Sequence, residues 1–220
     1  MFVGHYGVSF LAAARKEPPR LGTMFVAAQL VDIAFFAFLP LGIEHMRIVP
    51  GMTAMNPMDL YDMPWTHSLA GAIGWGLLFA VAVKLLRGGW AAGLIGGAVV
   101  VSHWVIDLLV HRPDLTLTGS PPKLGLGLWN HPWIEIPLEL AFAFGGLLLF
   151  VSRTRATGTM GRWSPWALAV GMAVLQAVNW TTPQPTEAAP APASIGWLGL
   201  FAYAVLALLA WWVARTRRLA

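Results

Sequence analysis

Six stretches of the chain, near residues 21–43, 66–86, 89–111, 132–152, 164–181 and 195–214, stay apolar for close to the roughly 20 residues a helix needs to cross a bilayer core. Continuous runs of this length restrict the fold more than any other feature of the sequence. In lipid each backbone N–H and C=O must find its partner within the segment, and a helix does this. The composition agrees: 57% of residues are hydrophobic, 11% are charged and the mean hydropathy is +0.65. A soluble domain carries about a quarter charged residues. The expected fold is all-α, a polytopic membrane helix bundle forming one domain over 1–220. It has six transmembrane helices plus a short N-terminal re-entrant or interfacial helix. Residues 1–152 hold the candidate metal site, and 153–220 add two helices to which the sequence assigns no chemistry.

The loops between the runs are punctuated by turn residues: Pro50-Gly51, Asn56-Pro57 and Pro64 in 44–65, and Gly119-Ser120-Pro121-Pro122 in 112–131. The Pro/Ala-rich stretch 182–194 reads as an extended connector. Lys and Arg divide unevenly between the two sides. Arg15, Lys16, Arg20, Lys84, Arg87, Arg153, Arg155, Arg162, Arg215, Arg217 and Arg218 fall on one side, and Arg47, Arg112 and Lys123 on the other. By the positive-inside rule the first set is cytoplasmic and the loops 44–65, 112–131 and 182–194 face outward. The expected location is the bacterial inner membrane. A pI near 10 could suggest nucleic acid, but the basic residues border apolar runs, as membrane topology requires, so no nucleic-acid partner is expected. With no cysteine, disulfides and thiolate metal sites are excluded.

The first fourteen residues are too short to span. Arg15 and Lys16 follow this apolar stretch rather than precede it, which argues against a cleavable signal peptide. As a helix with its basic end at the cytoplasmic surface, the segment would carry His5 roughly 15 Å deep. It reads either as a re-entrant helix packed in protein or as an amphipathic helix on the surface.

Ionisable residues in such runs are costly and usually face a bundle interior or a cavity. By helical rise Asp32 lies about 18 Å past Arg20 and His103 about 24 Å past Arg87. Asp107 and His111 follow His103 at i+4 and i+8, and His67 opens the second run from the outside. Without thiolates, imidazole and carboxylate are the expected ligands of zinc. His103 and Asp107 share a helix face, and His5, Asp32 and His67 can supply further ligands. Taken singly, each has a plainer reading. His103 and Asp107 could be a buried hydrogen-bonded pair, and Asp32 a partner for Trp, Gln29 or a backbone amide. His67 could sit at a helix start with Thr66 near the cap. His45 and His131 read as loop surface, and Glu135 with Glu139 as a solvated helix start. Four ligand-type groups at similar depth on four segments favour one metal site.

The motifs "WTHSL" at 65–69 and "SHWVIDLLVHRPDL" at 102–115 resemble those of bacterial inner-membrane proteins described as membrane-bound metal-dependent hydrolases. In that group an N-terminal His, an Asp in the first long helix, a Thr-His-Ser and a Ser-His-x-x-x-Asp occur in this order. Here they match His5, Asp32, His67, and His103 with Asp107, over about residues 1–150. The chain has "QLVDIAF" where the group has Pro-Asp-x-Asp-His, and Met63-Pro64 where it has His-Arg, which favours a single metal. The ligand order is also similar to that of soluble zinc-dependent phospholipases C and related nucleases.

These readings lead to a membrane metal-dependent hydrolase. A divalent ion, expected to be zinc, is held by His5, Asp32, His67, His103 and Asp107 and activates water. The expected substrate is a lipid-like or small ester or phosphoester among the membrane lipids of the outer leaflet. Asp107, if not a ligand, acts as general base or orients His103. His111 is the expected proton donor, and Arg112 the holder of a phosphate or carboxylate. Two other classes stay open: a small proton- or ion-coupled transporter or channel lined by Asp32, His103, Asp107 and Glu135, and an accessory subunit with partners in a membrane complex.

Overall fold

The computed structural model describes residues 1–15, 19–87 and 89–220; Lys16, counted above with the basic side, lies outside them. A 3-10 turn at Val3–His5 leads into α1 (Tyr6–Ala13). Then come α2 (Leu21–Ala28), α3 (Leu30–Phe38), β1 (His45–Ile48), β2 (Met58–Asp62), α4 (Leu69–Arg87) and α5 (Trp90–Val110). The chain continues through α6 (Pro132–Arg153), β3 (Thr154–Ala156), α7 (Thr159–Thr181), β4 (Ala189–Pro190), α8 (Ala193–Thr216) and β5 (Arg217–Leu219).

The protein is mostly helical, and α4, α5, α6 and α8 are long and apolar enough to cross a membrane. The pair α2–α3, bent by 53°, makes a fifth span if it is taken as one. Helix α7 has 23 residues but not the apolarity of the others, because Arg162, Gln176 and Asn179 dilute it. The six expected crossings thus become four or five by length and composition. Large apolar side chains cover the outer faces, among them Leu77, Leu78, Val81 and Leu85 of α4, Val170, Val174 and Val178 of α7, and Leu198, Phe201 and Leu208 of α8. Exposed tryptophans mark both ends of the bundle: Trp65, Trp133 and Trp197 at one, Trp90, Trp163 and Trp166 at the other. Interfacial belts of a membrane protein are placed this way.

At the first end the loops 44–65, 112–131 and 182–194 come together as a cap. Strand β1 pairs antiparallel with β2 and with β4. Lys123 Nζ donates to Tyr61 O at 2.9 Å, and Leu69 N to Thr116 O at 2.9 Å. At the opposite end β3 pairs with β5. There Arg217 spreads its guanidinium over Val151 O, Thr154 O, Thr154 Oγ1 and Gly161 O at 2.7–3.1 Å. Carbonyls at the C-terminus of α6 are met here by several donors: Val151 O by Arg217, Phe150 O by Thr154 Oγ1 and Arg153 O by Ala220 N.

Of Met1–Ala14, only Leu11 is exposed, so the segment packs inside the bundle rather than lying on its surface with one face free. Tyr6 stacks on Phe25 at 4.0 Å. Gly7 lets α1 close onto α6: a Cβ there would meet Phe142 O at 2.5 Å. Helices α4 and α5 meet as closely, since a Cβ on Gly97 would lie 2.7 Å from Gly76 O.

The bend between α2 and α3 contains neither Pro nor Gly. Sharp kinks also arise where a side chain enters the i to i−4 ladder. Here His103 of α5 does so, with its Nδ1 2.7 Å from Ala28 O.

Candidate metal centre

Asp107, one turn from the cap end of α5, is the hub. Its Oδ1 lies 3.2 Å from His5 Nε2 and 3.1 Å from the Met1 nitrogen. Its Oδ2 lies 2.9 Å from His103 Nε2, 3.6 Å from His111 Nε2 and 3.8 Å from His67 Nε2. Asp32 of α3 faces the same imidazoles, with Oδ1 3.3 Å from His67 Nε2 and 3.5 Å from His103 Nε2. The five residues expected as ligands, His5, Asp32, His67, His103 and Asp107, therefore meet in one place, and His111 joins them. Two sets have ligand atoms within 4.8 Å of one another: His5, His103 and Asp107, and Asp32, His67 and His103. Asp32 is 15% exposed and the other five are buried.

The tautomer of three of these histidines follows from what their Nδ1 atoms meet. A backbone carbonyl only accepts, so His103 Nδ1 carries the hydrogen that goes to Ala28 O. His111 Nδ1 lies 2.8 Å from Asp114 Oδ1, a carboxylate that accepts. His67 Nδ1 lies 2.9 Å from Thr66 Oγ1, whose own hydrogen goes to Glu44 Oε2 at 2.6 Å, so the hydroxyl accepts from the ring. With Nδ1 so engaged, His67 and His103 turn Nε2 toward both Asp32 and Asp107, and His111 turns it toward Asp107. Among the described residues His5, stacked on His103 at 3.9 Å, has no hydrogen-bond partner on either ring nitrogen. His103 Nε2 also lacks one, despite standing 2.9 Å from Asp107 Oδ2. The cluster sets imidazole nitrogens against carboxylate oxygens at 2.9–3.8 Å, ligand types close enough together to share a cation. Imidazoles backed by a carbonyl or carboxylate on the other nitrogen are the usual outer shell of a metal site. The cluster can therefore hold a metal ion.

The surroundings differ from expectation in several places. Glu135 and Glu139 are buried, not solvated. Glu139 Oε1 accepts from Phe2 N at 2.5 Å and Gly4 N at 3.1 Å, and its Oε2 from Gln176 Nε2 at 3.1 Å. Among the described residues neither carboxylate oxygen of Glu135 has a hydrogen-bond partner. The N-terminal segment lies over this turn of α6 and excludes water from it. Arg112, expected to hold a substrate anion, already contacts Asp59, which also binds Arg47 at 2.6 Å. Its Nε lies 3.6 Å from Asp114 Oδ2, so it stands behind His111 through Asp114. His111, expected as proton donor, turns Nε2 to Asp107 Oδ2 at 3.6 Å and is covered by Trp129 at 4.1 Å. Thr66 bridges Glu44 to His67 instead of merely capping a helix. His45 and His131 are exposed, as expected.

Four partners were not anticipated. Tyr203 of α8 donates to Asp32 Oδ2 at 2.7 Å, and Gln176 of α7 binds Glu139, so both helices of 153–220 reach the polar interior. Glu44 and Asp114 orient His67 and His111. Of these only Asp114 had a local signal, being three residues from His111 in "HRPD". Comparison with protein-family models, with curated proteins and with solved structures finds no match.

Proposed function

We propose that the chain is a metal-dependent hydrolase embedded in the bacterial inner membrane, acting on an ester or phosphoester of a lipid-like substrate at the outer leaflet. In this reading α2–α3 forms one bent span, and α7 completes a set of six. The cap faces outward and the arginine-rich end faces the cytoplasm. Residues 1–14 are a re-entrant element delivering His5. The resemblance carried by His5, Asp32, Thr66-His67-Ser68 and Ser102-His103 with Asp107 supports the same assignment.

The observation that carries the proposal is convergence: three independent Nδ1 bonds turn the Nε2 atoms of His67, His103 and His111 toward the carboxylates of Asp32 and Asp107. His5, Asp32, His67, His103 and Asp107 would hold the ion, with zinc the first candidate for this nitrogen and oxygen set. When bound, such an ion acts as a Lewis acid and makes water acidic enough to serve as nucleophile near neutral pH. The protein does the rest. Glu44 through Thr66, and Asp114, keep the rings of His67 and His111 oriented. Tyr203 holds Asp32, the partly exposed member of the cluster and the one an incoming substrate meets first. Trp129 and the cap keep bulk water away.

Elemental analysis of purified wild type beside His103→Ala tests the reading. Stoichiometric metal in wild type and its loss in a variant that stays helical by circular dichroism is the expected result. Full metal retention by His103→Ala overturns it. A second reading draws on the buried Glu135 and Glu139 beside the Met1 nitrogen and Asp107, which are residue types of a proton path. Proton flux in proteoliposomes without hydrolysis by the solubilised protein would favour that reading.

A further inference from the structure

The end of the bundle opposite the cap carries charge of one sign. Every acidic residue among the described ones belongs to the cap loops, to the candidate centre or to the buried pair Glu135 and Glu139. Among the described residues the only arginine–carboxylate pairs are those of Arg47 and Arg112, both at the cap. Arg153, Arg155, Arg162, Arg215 and Arg218, at the opposite end, are all exposed. Within this group the β3–β5 ladder fixes one close pair. Its register sets Thr154 against Leu219, Arg155 against Arg218 and Ala156 against Arg217. Residues directly opposite in an antiparallel pair share a face, with Cβ atoms roughly 5 Å apart, and like charges there are destabilising.

That register is pinned. Arg217 turns to the other face of the ladder, where its bonds to Val151, Thr154 and Gly161 tie β5 to the ends of α6 and α7. Thr157 N and Oγ1 both donate to Thr216 O, at 3.0 and 2.9 Å. Helix α7 closes on the ladder at Gly161, where a Cβ would collide with Thr216 O, and Ser164 Oγ lies 2.8 Å from Thr216 Oγ1. Arg162 and Arg215 adjoin the two residues of this closure, Gly161 and Thr216. Bonds on the inner face thus hold together an outer face that its own charges oppose.

We propose that Arg155 and Arg218 hold the phosphate of an anionic phospholipid in the membrane leaflet at this end. The inference goes beyond the hydrolase reading and does not rest on it. Charge complementarity selects an anion, and guanidinium forks match phosphate oxygens two at a time. Depth selects a lipid. The ladder joins the ends of α6 and α8, two of the helices apolar enough to cross a membrane. Trp163, directly after Arg162, and Trp166 are exposed beside it, and such tryptophans stand at headgroup level. Basic residues just outside membrane helices attract anionic lipids. The lipid carries net negative charge, because a zwitterionic headgroup would bring a second cation to a place that already has two.

Delipidated full-length protein in detergent is titrated with dioleoylphosphatidylglycerol and, separately, with dioleoylphosphatidylcholine, and bound lipids are counted by native mass spectrometry. Wild type should prefer phosphatidylglycerol by roughly tenfold or more, the scale of two basic contacts to an anionic headgroup. A variant with Arg155→Gln and Arg218→Gln should lose that preference. Arg15→Gln with Arg20→Gln removes the same charge from two exposed residues outside the ladder and should keep it. Because the first variant relieves a repulsion, it should unfold no earlier than wild type in lipid-free detergent. Equal affinity of wild type for both lipids, a preference that survives Arg155→Gln with Arg218→Gln, or one lost as fully in Arg15→Gln with Arg20→Gln overturns the site. Earlier unfolding of the ladder variant would make the pair a structural one and overturns it too. If excess inorganic phosphate strips the lipid from wild type, free phosphate is the ligand and the lipid assignment falls.

Discussion

The two ends of the bundle bury polar groups in opposite ways. At the arginine-rich end, Arg217 spends its guanidinium on four oxygens at 2.7–3.1 Å, and the chain of bonds stops there. At the cap end the chains Glu44–Thr66–His67 and Asp114–His111, together with Ala28–His103, do not stop. Each runs on through an imidazole whose Nε2 faces Asp32 or Asp107. Buried polar groups in native proteins are nearly always satisfied, and those that are not call for an explanation. The contrast separates polar residues that close a structure from polar residues that together could hold an ion.

The strongest way to break this contrast is to remove an imidazole at the cap end. His103→Ala takes away the Nε2 atom common to both ligand sets and should abolish metal binding, measured by elemental analysis, while helicity persists. Next comes the outer shell. Thr66→Val keeps the shape but leaves His67 Nδ1 without its acceptor, and metal affinity should fall by roughly 10–100-fold in competition with a chelator. Tyr203→Phe removes one neutral donor from Asp32, and a loss of only a few-fold is expected in the same assay. The sharpest control is at the other end. Arg217→Ala should cost on the order of 1 kcal/mol in stability by thermal unfolding and leave the bound metal untouched. A metal loss there equal to that of Thr66→Val would erase the distinction between the ends.

The cluster was legible in the sequence because each ligand violates its surroundings. Asp32, His103 and Asp107 interrupt apolar runs, and such interruptions in lipid need a reason. The partners that orient them were not legible. Tyr203 is an ordinary residue in a long apolar helix, and Glu44 is one acid in a loop, joined to the site by a contact that no local pattern records. Glu135 and Glu139 looked solvated because acids in the first turns of a helix usually are. Their burial comes from the N-terminal segment, more than 130 residues away in sequence. The run 21–43 read as one straight span for the same reason. Nothing in "VAAQLVDI" breaks a helix, and the cause of the bend is a ring 75 residues downstream. Helix α7 shows the converse limit: its length was plain, but scattered Arg162, Gln176 and Asn179 hold it below the apolarity of its neighbours.

The bend at Ala28 has a mechanical side. In an unbroken helix the Ala28 carbonyl would belong to the amide of Asp32, four residues on. Handing it to His103 keeps that ring aimed and keeps Asp32 on a segment angled toward it. Helices answer changes in bilayer thickness by tilting, kinking or straightening. A thicker bilayer that drew α2 and α3 into line would return the carbonyl to the ladder and release the imidazole. The aim of His103 is thus coupled to the angle between α2 and α3.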